Sequence, residues 1–168
     1  MSISMFAASV PVFERGLTNL KAVLAKGEAL AKARDFDPAV LITARLAPDM
    51  FALSRQVQIA SDTAKGAAAR LAGLEVPSWP DTESNFAELA VRIDRTLEFL
   101  HTFTPAQIDG SEQRPIELHT RRGVLRFTGL DYLRHFVLPN FYFHFTTTYL
   151  ILRHNGVELG KMDFLGAV

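Results

Sequence analysis

Apolar side chains recur every three to four residues in four long stretches of this chain, the spacing that gathers them on one face of an α-helix. We therefore expect four long amphipathic helices, over about residues 4–34, 50–71, 85–103 and 128–156. Pro11 and Pro139 fall inside the first and last stretches, where a ring without a backbone N–H should delay or bend the helix. Asp37 and Pro38 predict the start of a further, short helix that ends near Ala44.

A two-residue alternation of apolar and polar side chains is confined to residues 116–120 and 124–128. These segments flank a turn that contains Gly123, so they predict a short antiparallel β-hairpin. Helices and strands do not alternate along the chain, which disfavours a parallel sheet. The predicted fold is an all-α four-helix bundle, one domain over residues 1–168, with the hairpin in the connection before the last helix.

Composition and charge exclude several classes of partner and site. Eighteen basic residues balance eighteen acidic ones, so no net field favours nucleic acid or an anionic membrane. The chain has no cysteine, which excludes disulfides, thiolate metal ligands and cysteine nucleophiles. No stretch approaches the roughly 18 apolar residues of a transmembrane helix, and the first residues lack the basic region of a secretion signal. We expect a soluble, cytoplasmic protein with neither nucleic acid nor membrane as partner.

The strongest candidate site residues are Asn140 and His144, which lie one turn apart in the mostly apolar stretch 135–156. Side chains at i and i+4 share one helix face, so this pair can share a ligand or a metal. Two interpretations stay open. His144 is either a buried neutral histidine bonded to another helix, or a ligand-pocket group or metal ligand that acts with Asn140. The common glycine-rich, zinc-protease and serine-hydrolase motifs do not occur.

A polar stripe also follows three- and four-residue steps along the second long helix. It consists of Arg55, Gln58, Asp62 and Lys65. The stripe is either a solvated face or a face turned towards the last helix, in which case Gln58 and Asp62 lie opposite Asn140 and His144. An unpartnered buried polar group costs about 1–3 kcal/mol. In the second case we therefore expect hydrogen bonds across the interhelical cleft.

Several sequence motifs carry a resemblance to a known family. The motifs are MSISM at 1–5, RLAPDMF at 45–51, QVQIASD at 56–62 and LPNFYFH at 138–144. They resemble a bacterial family of unknown function within the DinB/YfiT-like superfamily of four-helix bundles. The likeness to the wider superfamily rests mainly on the last helix, where His144 is followed by LR at 152–153 and NG at 155–156.

That resemblance implies the bundle fold and, in many members, a divalent metal held by three histidines. One of these lies on the second long helix and two lie on the last, spaced as HxxxH. Carried onto this chain, the third matches His144, the second falls on Asn140 and the first on Gln58. Carboxamides would then replace two of three ligands, and their neutral oxygens bind zinc or nickel weakly beside imidazole. Some relatives are thiol-dependent transferases or isomerases.

Three functional hypotheses follow. The leading one is a bundle without a tightly held metal or other cofactor, which binds a small molecule through Gln58, Asp62, Asn140 and His144. The alternative is a transferase or hydrolase, thiol-using as in some relatives, that depends on a divalent metal such as zinc or nickel held by His144, with Asp62 or His135 as a further ligand. The third is a structural dimer without ligand, whose polar groups fix helix register. The aromatic-rich stretch 136–145 and the resemblance favour a homodimer.

Overall fold

Four long helices and one β-hairpin make up residues 3–120 and 123–166, the parts of the chain that this computed structural model describes. In chain order the elements before the hairpin are α1 (Val10–Ala33), α2 (Ala39–Thr43), α3 (Leu53–Ala72), α4 (Phe86–Leu100) and α5 (Pro105–Ile108). The hairpin strands are β1 (Pro115–Thr120) and β2 (Gly123–Thr128), followed by α6 (Gly129–Asp131), a π-helical segment (Tyr132–Val137), α7 (Leu138–His154) and α8 (Lys161–Leu165). The predicted four-helix bundle with a hairpin before the last long helix is confirmed.

Some sequence evidence falls on residues that the structure does not describe. The first two residues of the MSISM motif, Met1 and Ser2, and the predicted turn residues Arg121 and Arg122 lie outside the described ranges. Within those ranges, no helix combines the length and the apolar character needed to cross a lipid bilayer.

The first long helix begins at Val10, later than the expected start near residue 4. Pro11 explains the difference, because proline is accommodated in the first turn of a helix but not in its interior. From there Phe13, Leu17 and Leu20 are fully buried at the expected three- and four-residue spacing. This apolar face of α1 packs against α4 and α7 and forms one side of the core.

α3 lies in the middle of the bundle and packs against both α4 and α7. Ala60, Ala64 and Ala67 are fully buried, and their small side chains allow neighbouring helices to approach closely. The helix ends at Gly73, whose φ of 73° is a left-handed conformation that glycine adopts without strain. A helix enclosed on two sides exposes little surface, so its polar side chains need partners within the protein.

The first strand of the hairpin lies beside α3 and the π-helical segment. The antiparallel register places Ile116 opposite Phe127 and Leu118 opposite Leu125. Ile116 and Leu118 are buried, whereas most of β2 is exposed. β1 therefore lies on the core side of the pair, and β2 forms its outer edge.

The irregularity expected at Pro139 takes the form of the π-helical segment that precedes α7. Pro139 lies in the first turn of α7, where it cannot donate the backbone hydrogen bond of a continuous α-helix. The helical turn before this segment, α6, is capped by Thr128 as predicted, because the Thr128 hydroxyl accepts a hydrogen bond from the Asp131 amide. Within the segment the rings of Tyr132 and Phe136 stack with centroids 5.9 Å apart. The segment thereby presents two aromatic rings side by side.

Candidate functional site

α7 places His144 in the interior of the bundle, where the residue is 7% exposed. Its Nδ1 atom lies 2.6 Å from Oε1 of Gln56 on α3. The Gln56 amide nitrogen donates to the carbonyl of Phe51 at 3.0 Å, which determines the end of the side chain that faces the histidine. Since a carboxamide oxygen only accepts, His144 Nδ1 donates this hydrogen bond and Nε2 keeps the lone pair.

The surroundings of His144 favour its neutral form. Its pKa is lowered to about 4, first because burial desolvates the charged ring and second because the guanidinium of Arg55 repels it. At neutral pH the imidazole is therefore uncharged. The contacts of His144 are those of the first interpretation, a buried neutral histidine bonded to another helix.

Asn140 also reaches α3, one turn before the histidine. Its amide nitrogen donates to Oγ1 of Thr63 at 2.8 Å. The expected partners on α3 were Gln58 and Asp62, and that pairing was wrong. Gln56 and Thr63 are seven residues apart, so they lie two turns apart on the face of α3 that meets α7, whereas the expected pair lies on another face.

The polar stripe of α3 packs against α4 and the loop that precedes α4 rather than against α7, and the side chains of Arg55 and Asp62 stay 41% and 37% exposed. Arg92 of α4 lies at its centre with a side chain that is 2% exposed. Arg92 Nη2 lies 3.0 Å from Asp62 Oδ1 and 2.9 Å from Asp81 Oδ1. Arg92 Nη1 donates to Glu83 Oε1 at 2.9 Å, and Gln58 Nε2 donates to Glu83 Oε2 at 3.0 Å. Gln58 and Asp62 thus belong to one partly buried ionic cluster.

Two more basic residues of the stripe balance the charge of this cluster. Lys65 Nζ lies 2.7 Å from Asp62 Oδ1 and 4.3 Å from the ring centre of Trp79. Arg55 pairs with Asp81. The cluster therefore holds three basic and three acidic side chains, namely Arg55, Lys65 and Arg92 with Asp62, Asp81 and Glu83. Its charges are therefore matched internally.

A cleft of about 300 Å³ opens beside these contacts, between α3, β1 and the π-helical segment. Its apolar lining comes from Ile59, Leu118, Phe136 and the ring of Tyr132. Its polar lining comes from Arg55, Asp62, Thr63, Arg70, His119 and Thr120. Of the four site residues predicted from the sequence, Asp62 is the one that lines this cleft.

Arg70 is a site residue that the sequence analysis missed. Its Nη1 atom donates to the hydroxyl of Tyr132 at 3.1 Å. Gln56, Thr63 and Arg70 recur at seven-residue intervals, so they follow one face of α3 along α7 and the π-helical segment. The seven-residue interval could have identified Arg70 from the sequence. The alanines between these three residues, however, made the same face of α3 look like apolar core.

The residues around His144 do not fit a divalent metal. His144 Nδ1 and the Asn140 amide are already bonded to α3, and Gln58 lies on a different face of that helix. Arg55 adds positive potential at the histidine. In the part of the chain that the structure describes, no group of three or more His, Cys, Asp or Glu side chains is placed to hold a metal ion. One imidazole nitrogen beside a guanidinium is a poor donor set for zinc or nickel.

The buried histidine predicts how stability depends on pH. An unfolded histidine titrates near pH 6.5 and His144 in the fold near 4, so the unfolded chain binds the proton first. The stabilisation is complete above about pH 6.5 and is lost as the pH falls towards 4. We expect the free energy of unfolding to fall by about 2 kcal/mol between pH 7.5 and 5 through this group. Urea unfolding at both pH values checks this, and a His144→Gln variant with the same pH dependence would contradict it.

The ionic cluster predicts a large cost for removing its central cation. Arg92→Met removes a buried cation shared by three partly exposed carboxylates and should lower the free energy of unfolding by about 1–3 kcal/mol, the range for losing hydrogen bonds between charged groups. The matched control is Arg126→Met, because Arg126 forms an exposed ion pair with Glu117, and its loss should cost less than about 1 kcal/mol. Urea unfolding at pH 7.5 measures both variants. Equal effects would show that the cluster does not stabilise the packing of α4 on α3.

Comparison with known proteins places the chain in a family. The model of the family described as Domain of unknown function (DUF1993) matches residues 5–165. The chain is also similar to a crystal structure of a DinB family member protein from Shewanella denitrificans, with 43% sequence identity and a TM-score of 0.87. That similarity covers 97% of this chain and 92% of the other. No curated protein matches the sequence. The chain therefore belongs to the DUF1993 family, whose function is unknown, and has the fold of a DinB family member.

Proposed function

We propose that the protein binds a small organic molecule in the cleft between α3, β1 and the π-helical segment, without a tightly held metal. The observation that carries this proposal is the cleft itself, which joins an apolar floor to polar groups held by other contacts. Helical bundles build ligand sites from side chains on facing elements. The position of the cleft beside the α3–α7 contact supports the proposal for that reason.

The four residues singled out in the sequence take different parts in this proposal. Asp62 contacts the ligand, because it lines the cleft. Gln58 supports the ionic cluster behind Asp62. Asn140 orients Thr63, which also lines the cleft, and His144 ties α3 to α7 through its hydrogen bond to the α3 glutamine. Gln58, Asn140 and His144 therefore position the site rather than touch the ligand.

A second concavity, of about 350 Å³, lies between α4 and the loop before it. Its lining includes Trp79, Val91 and Arg95. Arg92 and Glu83 also line this second concavity, and they are paired with each other. We favour the α3 cleft because it lies between facing elements of the bundle, beside the α3–α7 contact.

The proposal predicts where small organic fragments bind. The probe is a mixture of organic acids, amides and alcohols with about six to twelve non-hydrogen atoms each. In two-dimensional NMR spectra these should shift the backbone amide signals of Ile59, Leu118 and Phe136. Ile59→Trp should fill the cleft and weaken binding by about tenfold or more. Val91→Trp is the matched control at the second concavity and should leave binding unchanged; the reverse result would contradict the α3 cleft.

The metal-free part of the proposal is measured on the same preparation. Protein purified without a histidine tag should contain far less than one zinc or nickel ion per chain, because the donor set is poor. Added zinc should leave the ring signals of His144 unchanged. Stoichiometric metal that is lost in His144→Gln would overturn this part and favour the metal-dependent transferase or hydrolase.

Assembly is a separate proposal, in which two copies pair through the outer face of α7. Phe143 is 55% exposed and Leu150 is 40% exposed, and their seven-residue spacing puts them on one helix face. Large apolar side chains exposed on one face favour an interface. The zero formal net charge leaves no overall repulsion between copies. A cytoplasmic location stays a prediction from the sequence.

Sedimentation equilibrium tests the dimer. At micromolar concentration the mass should be twice the chain mass of 18.7 kDa. Phe143→Glu should restore the mass of one chain, because a carboxylate would be desolvated in the interface. Val124→Glu, on the exposed strand β2, should leave the dimer intact. A wild-type mass near that of one chain would rule the dimer out at that concentration.

A further inference from the structure

We infer that the cleft takes a ligand with a carboxylate group, bound by Arg70 and Tyr132, and an apolar body of about one aromatic ring. This inference rests on the proposed function and names the chemical class of the ligand. Three features of the cleft support it among the described residues: a guanidinium without an acidic partner, a buried hydroxyl without an acceptor, and apolar walls beside both.

The basic and acidic groups that line the cleft are not matched equally. Asp62 is paired with Lys65 and Arg92, and Arg55 is paired with Asp81. Arg70 has a neutral partner, the phenol of the π-helical segment. Over residues 3–120 and 123–166, no carboxylate lies within ion-pair distance of Arg70. One end of the cleft therefore carries an uncompensated guanidinium, whose planar donors match a carboxylate.

Tyr132 supplies a second donor at the same place. The residue is 2% exposed, and its hydroxyl accepts the hydrogen bond from Arg70. The hydroxyl hydrogen has no acceptor among the residues that the structure describes. Burial also raises the pKa of Tyr132, so the phenol keeps its proton over the physiological range. A buried donor without an acceptor costs free energy, and a ligand carboxylate oxygen would satisfy it.

Two backbone features hold these donors in position. A Cβ atom added at Gly66 would lie 2.5 Å from Arg70 Nη1, so the absence of a side chain at this position makes room for the guanidinium. The π-helical segment places Tyr132 and Phe136 side by side, and Phe127 of β2 packs against both. Departures from α-helical geometry of this kind occur frequently at functional sites.

The apolar walls suit a ligand with a hydrocarbon body. Ile59, Leu118 and Phe136 line the cleft, and a volume of about 300 Å³ lies at the lower end of the range for small-molecule sites. A ring joined to a carboxylate by a short chain combines the two properties. Phenylacetate is such a probe, and phenylacetamide has the same shape without the charge.

The experiment compares these two probes on the full chain by NMR titration. Phenylacetate should bind about tenfold or more tightly than phenylacetamide, with shifts at the amides of Ile59, Leu118 and Phe136. Arg70→Met should reduce phenylacetate affinity to that of the amide and leave the affinity for phenylacetamide unchanged. The matched control is Arg126→Met, on the exposed side of the hairpin, which should change neither affinity.

Two further variants keep the test decisive if Arg70→Met does not fold. Gly66→Ala improves helix propensity but displaces the guanidinium, and Tyr132→Phe removes only the hydroxyl. Each should weaken phenylacetate binding more than phenylacetamide binding. Equal affinity of the two probes at the cleft would overturn the carboxylate inference and leave the small-molecule function standing. Shifts confined to other surfaces, or no binding of either probe, would overturn both.

Discussion

The burial of α3 between α4 and α7 is the constraint on which the rest of the structure depends. Thirteen of its twenty residues are buried, and its alanines bring the neighbouring helices close. Polar side chains on such a helix cannot rely on water, and each one left unpaired would cost about 1–3 kcal/mol. The rotation of α3 about its axis therefore decides which residues of α4, α7 and the loops must lie opposite it.

Two polar faces of α3 meet this constraint in different ways. One face carries Gln56, Thr63 and Arg70, which form hydrogen bonds with neutral groups of α7 and the π-helical segment. The other face, which carries Asp62 and Lys65, packs in a network of matched charges around the buried arginine of α4. The charges around Asp62 and Lys65 cancel, whereas the face with Arg70 has no acidic side chain to balance it in the part of the chain that the structure describes. Positive charge is therefore left at the Arg70 end of the cleft.

The sequence predicted those parts of the fold that depend on local spacing. Helical periodicity located the four long helices, and the alternation around Gly123 located the hairpin, since both patterns describe contacts between near neighbours. The pairing across α3 could not be predicted in the same way. Spacing shows that Gln58 and Asp62 share a face, but it does not show whether that face meets α7 or α4 when polar residues occupy two sides of the helix. The loop carboxylates of Asp81 and Glu83, which decide the matter, follow no periodicity.

Carboxamide side chains give the α3–α7 contact a different electrostatic character from that of a metal site. An imidazole ligand directs a lone pair at a cation, whereas a carboxamide carries both a donor and an acceptor and can find its partner within the protein. Asn140 donates to Thr63 and Gln56 accepts from His144, so this contact closes with hydrogen bonds alone. Arg55 beside the histidine disfavours a cation there, and Arg55 also lines the neighbouring cleft. Because Arg55 is paired with Asp81, the preference that we infer for a negatively charged ligand depends on Arg70, whose partner is neutral.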